Sequence, residues 1–246
     1  MVRLISFGRS HPETFRPTLA LALATAAIVL LVWELYICEG AHLGRRFVVW
    51  LYDLTADRYN QIKGFDRAWE KRFLGEPVAQ VIGTLPGARL LDAGAGTGRL
   101  AWALEAGGNY AAPIVCLEPS RPMIGRQLPT DGRVRRDWAQ GTLERLPFDN
   151  ATFDLVSSLE VLEFTPSPRH TLAELVRVLR PGGWLLVTNR IGWQAPLILG
   201  RTFPRGRFAQ MLAGHGLTEV EVFPWQKDYD LAWARKTDAL PKVELP

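Results

Sequence analysis

Residues 90–100 read Leu90-Leu91-Asp92-Ala93-Gly94-Ala95-Gly96-Thr97-Gly98-Arg99-Leu100. A short apolar run leads straight into a glycine-rich turn, and a helical pattern follows the turn. Glycines in such a turn let a ligand approach the backbone closely, and the first turn of a helix offers free N–H groups to an anionic group. The stretch therefore predicts a strand, a turn and a helix that together bind a small, partly anionic molecule.

Short apolar runs alternate with helical patterns from Ala88 onward, which indicates an α/β fold with a mostly parallel sheet and crossover helices. Seven strands are predicted, near Arg89–Ala93, Ile114–Glu118, Val134–Trp138, Phe153–Ser157, Trp184–Asn189, Thr218–Phe223 and Tyr229–Ala234. Four helices are predicted between them, near Gly98–Ala106, Arg121–Gln127, Arg169–Leu179 and Arg205–His215. Pro181-Gly182-Gly183 is predicted to end one of these crossings with a turn.

Two further segments precede this predicted sheet. Thr18–Trp33 carries no charge, and the longer stretch Pro17–Cys38 is interrupted only by Glu34. At about 1.5 Å per residue the longer stretch reaches roughly the 30 Å of a bilayer core, with Trp33 and Tyr36 in the interfacial belt. One transmembrane helix is the favoured interpretation. A buried core helix and a cleaved signal peptide stay open as alternatives, although no small-x-small cleavage site follows the run cleanly.

The segment from Ala41 to Pro86 has an amphipathic helical pattern and predicts a pair of helices ahead of the sheet. Arg45 and Arg46 lead into an aromatic-rich run, which fits both packing onto the domain and contact with a bilayer surface. We therefore expect an N-terminal tail and anchor at 1–40, an amphipathic helical segment covering the cofactor site at 41–86, and the catalytic domain at 87–240.

Composition and charge narrow the function classes. The 246-residue chain is 48% apolar, which excludes a disordered protein, and its net charge of +4 comes with 25 scattered acidic residues. We expect no nucleic acid partner. Cys38 and Cys116 lie far apart, so neither a disulfide framework nor a metal cluster is predicted from them. No histidine has a cysteine or carboxylate at a spacing read as metal-ligating.

Two cofactors compete for the glycine-rich turn. The dinucleotide fingerprint G-x-G-x-x-G fails from Gly94 because Arg99 stands at its third glycine, although Gly96, Gly98 and Ala101 give the looser G-x-G-x-x-A. NAD therefore stays open as an alternative to S-adenosylmethionine (SAM). Asp92 favours SAM, whose amino group a carboxylate can hold. Glu118 ends the second predicted strand, where its oxygens suit the ribose hydroxyls of either cofactor.

Several ordered motifs between Tyr52 and Lys236 resemble the class I SAM-dependent methyltransferases, in particular the quinone-biosynthesis group. They are L-L-D-A-G-A-G-T-G at 90–98, L-E-P-S-R-P-M at 117–123, G-T-L-E-R-L-P-F at 141–148, F-D-L-V at 153–156 and L-V-R-V-L-R-P-G-G at 175–183. The resemblance implies a Rossmann-like seven-stranded sheet with helices on both faces. It also implies that Asp92, Gly94, Gly96 and Gly98 line the methionine end of SAM, that Glu118 holds the ribose, and that Tyr59 closes over the cofactor.

The chain departs from the family pattern at two places. Thr142 stands where the family often has Asp against the adenine, so adenine recognition is expected to involve Thr142 and the backbone near Leu143. Glu160-Val161-Leu162-Glu163-Phe164 resembles the E-x-x-E-H metal-binding stretch of quinone O-methyltransferases, but Phe164 replaces the histidine. We therefore predict no metal and interpret Glu160 and Glu163 as a solvated or helix-capping pair.

The catalytic group is not predicted uniquely. His170 is placed at a helix start near the rim of the active site, and Glu160 and His170 are the candidate bases for a hydroxyl acceptor. An amine or carbon acceptor would need little help, because a sulfonium methyl is intrinsically electrophilic. The target atom and the oligomeric state stay open.

The anchor and the resemblance together predict a membrane-anchored SAM-dependent methyltransferase that acts on a small, membrane-resident acceptor such as a quinone precursor or lipid. Arginines flank the anchor on both sides, so charge does not orient it: Arg3, Arg9 and Arg16 precede it and Arg45, Arg46 and Arg58 follow. Use of SAM would place the catalytic domain on the cytoplasmic side. An NAD-dependent oxidoreductase and a catalytically inactive methyltransferase-like membrane protein are the alternatives.

Overall fold

A computed structural model of the protein describes residues 15–85, 87–107 and 113–238. The predicted boundary at Pro86, the end of the catalytic domain at 240, and Arg3 and Arg9 lie outside these residues, as does the side chain of Arg16.

A seven-stranded sheet forms the centre of the protein, with the order β3-β2-β1-β4-β5-β7-β6. Neighbouring strands are parallel from β3 to β5, whereas β7 runs antiparallel to both β5 and β6. The strands are β1 (Leu90–Ala93), β2 (Ile114–Glu118), β3 (Arg136–Gln140), β4 (Phe153–Ser158), β5 (Leu179–Arg190), β6 (Leu217–Gln226) and β7 (Tyr229–Lys236). The predicted seven-stranded, mostly parallel sheet is thus confirmed.

Helices cover both faces of the sheet. The described α-helices are α1 (Phe15–Val32), α2 (Arg45–Thr55), α3 (Tyr59–Lys63), α4 (Arg67–Glu70), α5 (Glu76–Gly83), α6 (Arg99–Gly107), α7 (Arg121–Ile124), α8 (Pro168–Val178) and α9 (Arg205–Gly214). Apolar side chains of α5 and α6 form one buried cluster with the sheet, and those of α8 and α9 form a second. Burial of these apolar stripes against the sheet is the main driving force for the layered fold.

The order of the strands locates the site. Chain connections leave β1 toward β2 on one side and reach β4 on the other, so the crevice between β1 and β4 is a topological switch point. Open α/β sheets bind ligands at such a point, beyond the carboxyl ends of the strands. The glycine-rich turn after β1 lies there.

The structure corrects four details of the sequence-based description. β3 begins at Arg136 rather than Val134, and α7 ends at Ile124 rather than Gln127. Pro181-Gly182-Gly183 does not end a crossing with a turn but lies inside β5, where the pairing with β4 shifts register and forms a bulge. The segment after residue 41 contains α2 to α5 with a π-helical turn at Lys71–Gly75 instead of a pair of helices.

The stretch Pro17–Ile37 forms a helix of 21 residues that is long and apolar enough to span a bilayer, and nearly all of it is exposed. Its last turn is different, because Trp33–Ile37 is a π-helical turn that contacts the domain. The Trp33 indole Nε1 donates to the Leu197 carbonyl at 3.1 Å. Trp33 was expected in an interfacial belt, but its ring packs against the domain, whereas Tyr36 is exposed.

Three side chains meet where this helix joins the domain: Glu34, Cys38 and His42. One ligand atom from each lies within 4.8 Å of the other two. The prediction that no histidine has a cysteine or carboxylate at metal-ligand spacing is therefore wrong. A spacing of four residues along the chain brings the three together because the π-helical turn and the bend after it align them at one point.

Candidate cofactor and acceptor site

The turn between β1 and α6 needs glycine at two positions that face the crevice. Gly94 has φ +80° and Gly96 has φ +56°, both in the left-handed region where a side chain is strained. A Cβ on Gly94 would come within 2.6 Å of the Val161 side chain, whereas one on Gly96 would lie 3.7 Å from Met123 and 3.8 Å from the Tyr59 hydroxyl. The bare backbone of Gly96 therefore leaves the cavity open between those two side chains.

Asp92 is the buried carboxylate directly before this turn, and it is 2% exposed. Its Oδ1 accepts a 2.7 Å hydrogen bond from the Ser157 hydroxyl at the end of β4. Burial raises the pKa of Asp92 to about 6, which the Ser157 bond and the charge of Arg99 only partly offset. A buried carboxylate with one engaged oxygen retains acceptor capacity for a cationic ligand group.

Glu118 ends β2 on the other side of the turn and is 7% exposed. Its Oε2 accepts from the Gly96 backbone N–H and its Oε1 from the Ser120 N–H, each at 2.9 Å. Burial raises the pKa of Glu118 to about 7, although these two backbone bonds lower it. Both oxygens are held in place and keep free lone pairs, which fits a pair of neighbouring hydroxyls.

Helices α2 and α3 cover the crevice. The Tyr59 ring lies over the turn, and burial raises the pKa of its phenol to about 12. The neighbouring Asn60 Oδ1 accepts from the Thr97 hydroxyl at 2.6 Å, and Asp53 Oδ1 accepts from the Ser120 hydroxyl at 2.5 Å. These bonds attach the helical cover to the two loops that carry the predicted cofactor ligands.

The cavity beneath this cover is partly open, and its empty space, including the part open to solvent, is about 680 Å³. Its polar part is formed by the glycine turn and Glu118, and its apolar part by side chains of α2 and of the segment after β4. Those apolar side chains are Val48, Val49, Tyr52, Leu159, Val161 and Phe164.

The predicted adenine contacts also line the cavity. Leu143 is 5% exposed, and Thr142 Oγ1 accepts a 3.3 Å hydrogen bond from the Arg45 guanidinium. Arg45 also forms a 3.0 Å ion pair with Glu144. Thr142 therefore lies in a polar rim of the cavity to which α2 contributes Arg45, a contact that the sequence did not indicate.

Arg99, at the third glycine position of the dinucleotide fingerprint, has its own structural explanation. Its guanidinium donates to both Glu70 oxygens, at 2.9 and 2.5 Å, and to Glu160 Oε1 at 2.5 Å. Lys63 donates to the other Glu160 oxygen at 2.5 Å. Although burial opposes it, the charges of Lys63 and Arg99 lower the pKa of Glu160. Glu160 lines the cavity as an ion-paired carboxylate.

The interpretation of Glu160 and Glu163 as a solvated or capping pair is wrong. Glu163 is 1% exposed and accepts a hydrogen bond from the Tyr229 hydroxyl, and burial raises its pKa to about 7. Phe164, which replaces the family's histidine, packs edge-on against Tyr52 at a centroid distance of 5.8 Å. The segment after β4 thus presents an aromatic wall to the cavity.

His170 lies outside the cavity lining. It is exposed in the first turn of α8, and its Nε2 is 2.8 Å from the Glu144 carbonyl. The structure therefore brings together Tyr59, Gly94, Gly96, Glu118, Thr142, Leu143 and Glu160 around one cavity, with Asp92 in the adjoining recess behind the turn. Gly98 faces Trp138 on the other side of the turn instead.

Sequence reasoning missed the residues that hold these groups. Ser157, Lys63 and Glu70 were not identified, because each acts through a partner far along the chain. Arg99 was the available signal, since a cation directly after a ligand loop needs a carboxylate partner once it is buried.

The comparisons with known proteins identify the kind of domain. Residues 91–187 match the family model described as a methyltransferase domain. Residues 91–187 thus form a methyltransferase domain of the SAM-dependent kind. This assignment selects SAM over NAD for the glycine turn.

The methyltransferase domain resembles the quinone-biosynthesis group. It is similar to the ubiquinone/menaquinone biosynthesis C-methyltransferase UbiE of Bordetella parapertussis, with 33% identity over 149 residues that cover 58% of this chain and 56% of that protein. It is also 33% identical over 141 residues to the demethylmenaquinone methyltransferase of Renibacterium salmoninarum, covering 56% of this chain and 53% of that protein. The chain thus spans just over half the length of these curated relatives.

A solved structure supports the fold. The crystal structure of the cyclase SpnF aligns with a TM-score of 0.64 and 20% identity, covering 80% of this chain and 97% of that one. At this identity the likeness concerns the Rossmann-like methyltransferase fold alone, and it carries no information on the reaction.

Proposed function

We propose that this chain is an active SAM-dependent methyltransferase that methylates a small lipophilic acceptor, such as a quinone precursor or a membrane lipid. The observation that carries the proposal is the cavity with two different sides. On one side lie the glycine turn and the Glu118 carboxylate, which backbone N–H groups hold in place, and on the other side lie aromatic and aliphatic side chains. SAM would supply an electrophilic methyl group there. The quinone-related names of the two curated relatives support the acceptor class.

The proposed cofactor residues are Tyr59, Asp92, Gly94, Gly96, Glu118, Thr142 and Leu143; Gly98 faces Trp138 and is left out of the set. Asp92 would hold the amino group, with Ser157 orienting its carboxylate, and Glu118 would accept from the ribose hydroxyls while the Gly96 and Ser120 N–H groups fix its position. Tyr59 would exclude water from above the turn. The absence of a side chain at Gly96 leaves room for the ligand.

Apart from Glu118, which the proposed ribose contacts would occupy, no described carboxylate of the cavity lining is a poised general base. Glu144 is ion-paired with Arg45, and Glu160 is ion-paired with Lys63 and Arg99. The lowered pKa of Glu160 also makes it a weak proton acceptor. We therefore favour an acceptor whose own carbon or nitrogen is nucleophilic, because orientation and exclusion of water are then enough. The C-methyltransferase name of one relative agrees with a carbon target.

Membrane association is the second part of the proposal. α1 would anchor the protein, with the catalytic domain in the cytoplasm, and tethering would raise the local concentration of a membrane-resident acceptor. Exposed apolar side chains at the junction support contact with lipid: Leu43, Trp193, Leu197 and Leu199. Trp33, Cys38 and His42 contact the domain, so we propose that the free anchor ends at Val32. The amphipathic helical segment and the catalytic domain are proposed to follow as 41–86 and 87–240.

The test uses purified full-length protein in detergent. We expect calorimetry to detect binding of SAM and S-adenosylhomocysteine but not of NAD(H). We expect radiolabelled methyl to pass from SAM into the organic phase when a demethylmenaquinone or a membrane lipid extract is supplied. Glu118→Ala serves as the variant with impaired cofactor binding, and it should lose both the binding signal and the methyl transfer. Binding of S-adenosylhomocysteine without any transfer to these acceptors would favour the inactive alternative, and NAD(H) binding would overturn the cofactor assignment.

A further inference from the structure

The junction between α1 and the domain contains a group of potential metal ligands separate from the cofactor cavity. Glu34 and Cys38 are 6% and 0% exposed, and His42 is partly buried beside them. Each offers one ligand atom, and the three atoms lie within 4.8 Å of one another. Their donor set is one oxygen, one sulfur and one nitrogen.

The imidazole of His42 is oriented for binding through Nδ1. Its Nε2 lies 3.0 Å from the Leu199 carbonyl oxygen, which can only accept, so Nε2 carries the hydrogen. The Trp33 ring stacks on the imidazole at a centroid distance of 5.2 Å and fixes its plane. In a neutral ring Nδ1 then presents its lone pair toward Glu34. Histidine ligands of metals commonly donate their other ring N–H to a backbone carbonyl in this way.

The other two ligand atoms are also positioned. Glu34 Oε1 accepts from the His42 backbone N–H at 2.8 Å, which holds the carboxylate and directs Oε2 to within 2.8 Å of His42 Nδ1. Cys38 is a free thiol whose Sγ lies 3.7 Å from the Leu197 carbonyl. Two electron-rich atoms at 2.8 Å need either a shared proton or a cation between them. Tetrahedral coordination at about 2.0 Å would separate them to roughly 3.3 Å, a shift of about half an ångström.

We propose that Glu34 Oε2, Cys38 Sγ and His42 Nδ1 bind a divalent zinc-type cation. A thiolate and an imidazole exclude Mg²⁺ and Ca²⁺, which prefer oxygen ligands, and suit Zn²⁺. Binding would release the thiol proton to solvent, and the charges of the carboxylate and thiolate would balance the ion. The partly exposed side of His42 leaves a fourth position for water.

The proposed metal has a structural consequence at this position. Trp33, Cys38 and His42 all contact the carbonyls of Leu197 or Leu199, so the ion would fix the base of α1 to the loop after β5. The proposed metal takes no part in methyl transfer, so the metal site and the methyltransferase activity can be tested independently of each other.

The test uses full-length protein in detergent, purified without a polyhistidine tag and stripped with a chelator. Co²⁺ is titrated first, followed by competition between Zn²⁺ and a chromophoric chelator. We expect a stoichiometric site with a thiolate-to-cobalt charge-transfer band in the near ultraviolet. Cys38→Ser should abolish the band and weaken Zn²⁺ binding by more than the roughly 10- to 100-fold that loss of a ligand's hydrogen-bonding partner causes. Cys116→Ser, at the other buried cysteine, should keep both.

Near-ultraviolet circular dichroism checks that each variant is folded. If Cys38→Ser unfolds, Glu34→Gln is used in its place, because the amide keeps an acceptor for the His42 N–H while losing the charge. Glu34→Gln should weaken Zn²⁺ binding, and the thiolate-to-cobalt band should still form but at higher Co²⁺ concentration. A folded wild type that takes up neither ion overturns the proposal. So does a folded Cys38→Ser protein that retains the band, because the interaction of Glu34 with His42 would then be an ordinary ion pair.

Discussion

Replacement of Glu118 by Ala tests the cofactor assignment at one residue. In the free protein its two oxygens accept from the Gly96 and Ser120 N–H groups at 2.9 Å, and no side-chain cation neutralises it among the bonds described. Burial of this carboxylate is unfavourable, as its raised pKa shows. A buried acidic group that costs stability and faces a cavity is typical of a residue retained for binding.

The expected loss of affinity follows from the bonds that the ligand would make. A hydrogen bond to a charged group contributes about 1.5 to 3 kcal/mol. Losing that energy would raise the dissociation constant for S-adenosylhomocysteine roughly ten- to more than hundredfold. Glu118→Gln should lose less, because the amide oxygen still accepts one hydrogen bond. Glu118→Asp should also weaken binding, since the shorter side chain withdraws from the cavity.

Calorimetric titration of S-adenosylhomocysteine measures these affinities, and thermal melts check folding. The matched control is Glu174→Gln, which alters a carboxylate that accepts from the Leu146 N–H at 2.9 Å but lies outside the cavity. The control should bind like wild type. Wild-type affinity in a folded Glu118→Ala protein would refute the ribose assignment and weaken the roles proposed for the other cofactor residues.

Four further predictions follow from the same contacts. The pKa values of Glu118 and Asp92 in the free protein are about 7 and about 6, and the ligand hydrogen-bonds to the ionised forms. Affinity for S-adenosylhomocysteine in calorimetric titrations should therefore fall by up to about tenfold per pH unit from about pH 7 to 6, where one proton opposes binding, and by up to about a hundredfold per unit below about pH 6, where two do. Glu118→Gln should flatten the upper part of that profile. Gly96→Ala should lower the free energy of S-adenosylhomocysteine binding by more than it lowers the free energy of unfolding, because its Cβ enters the cavity without a close protein contact. Arg99→Met should lower the free energy of unfolding in urea by about 3 to 5 kcal/mol, since it leaves the buried Glu70 carboxylate without its cation while Glu160 keeps only Lys63. Full-length protein should stay with membranes in alkaline extraction, whereas a variant lacking residues 1–32 should be released; release of both would contradict a spanning anchor.

The cofactor turn could be predicted because its signals are local. The apolar run of β1, the glycines after it and the start of α6 all lie within residues 90–107, where backbone geometry and burial follow from neighbouring residues. The strand-end positions of Asp92 and Glu118 were inferred for the same reason, and parallel pairing of β1 with β2 brings their ends together.

Side chains that act through distant partners could not be predicted in the same way. Glu160 was interpreted as solvated, yet it pairs with Arg99 and Lys63, which are 61 and 97 residues away. Glycine and proline at 181–183 predict a turn, but pairing with β4 holds the stretch inside β5 as a bulge. In both cases tertiary packing outweighs the local preference.

The sequence alone thus determined the order of strands and helices, the ligand turn and the apolar N-terminal helix, because period, glycine placement and hydropathy act over a few residues. Only the tertiary structure decided which carboxylates face a ligand, which are neutralised by cations, and that Glu34, Cys38 and His42 meet. Which charged and polar groups pair depends on their distance in the folded protein, and the local sequence pattern does not give the distance between residues far apart in the chain.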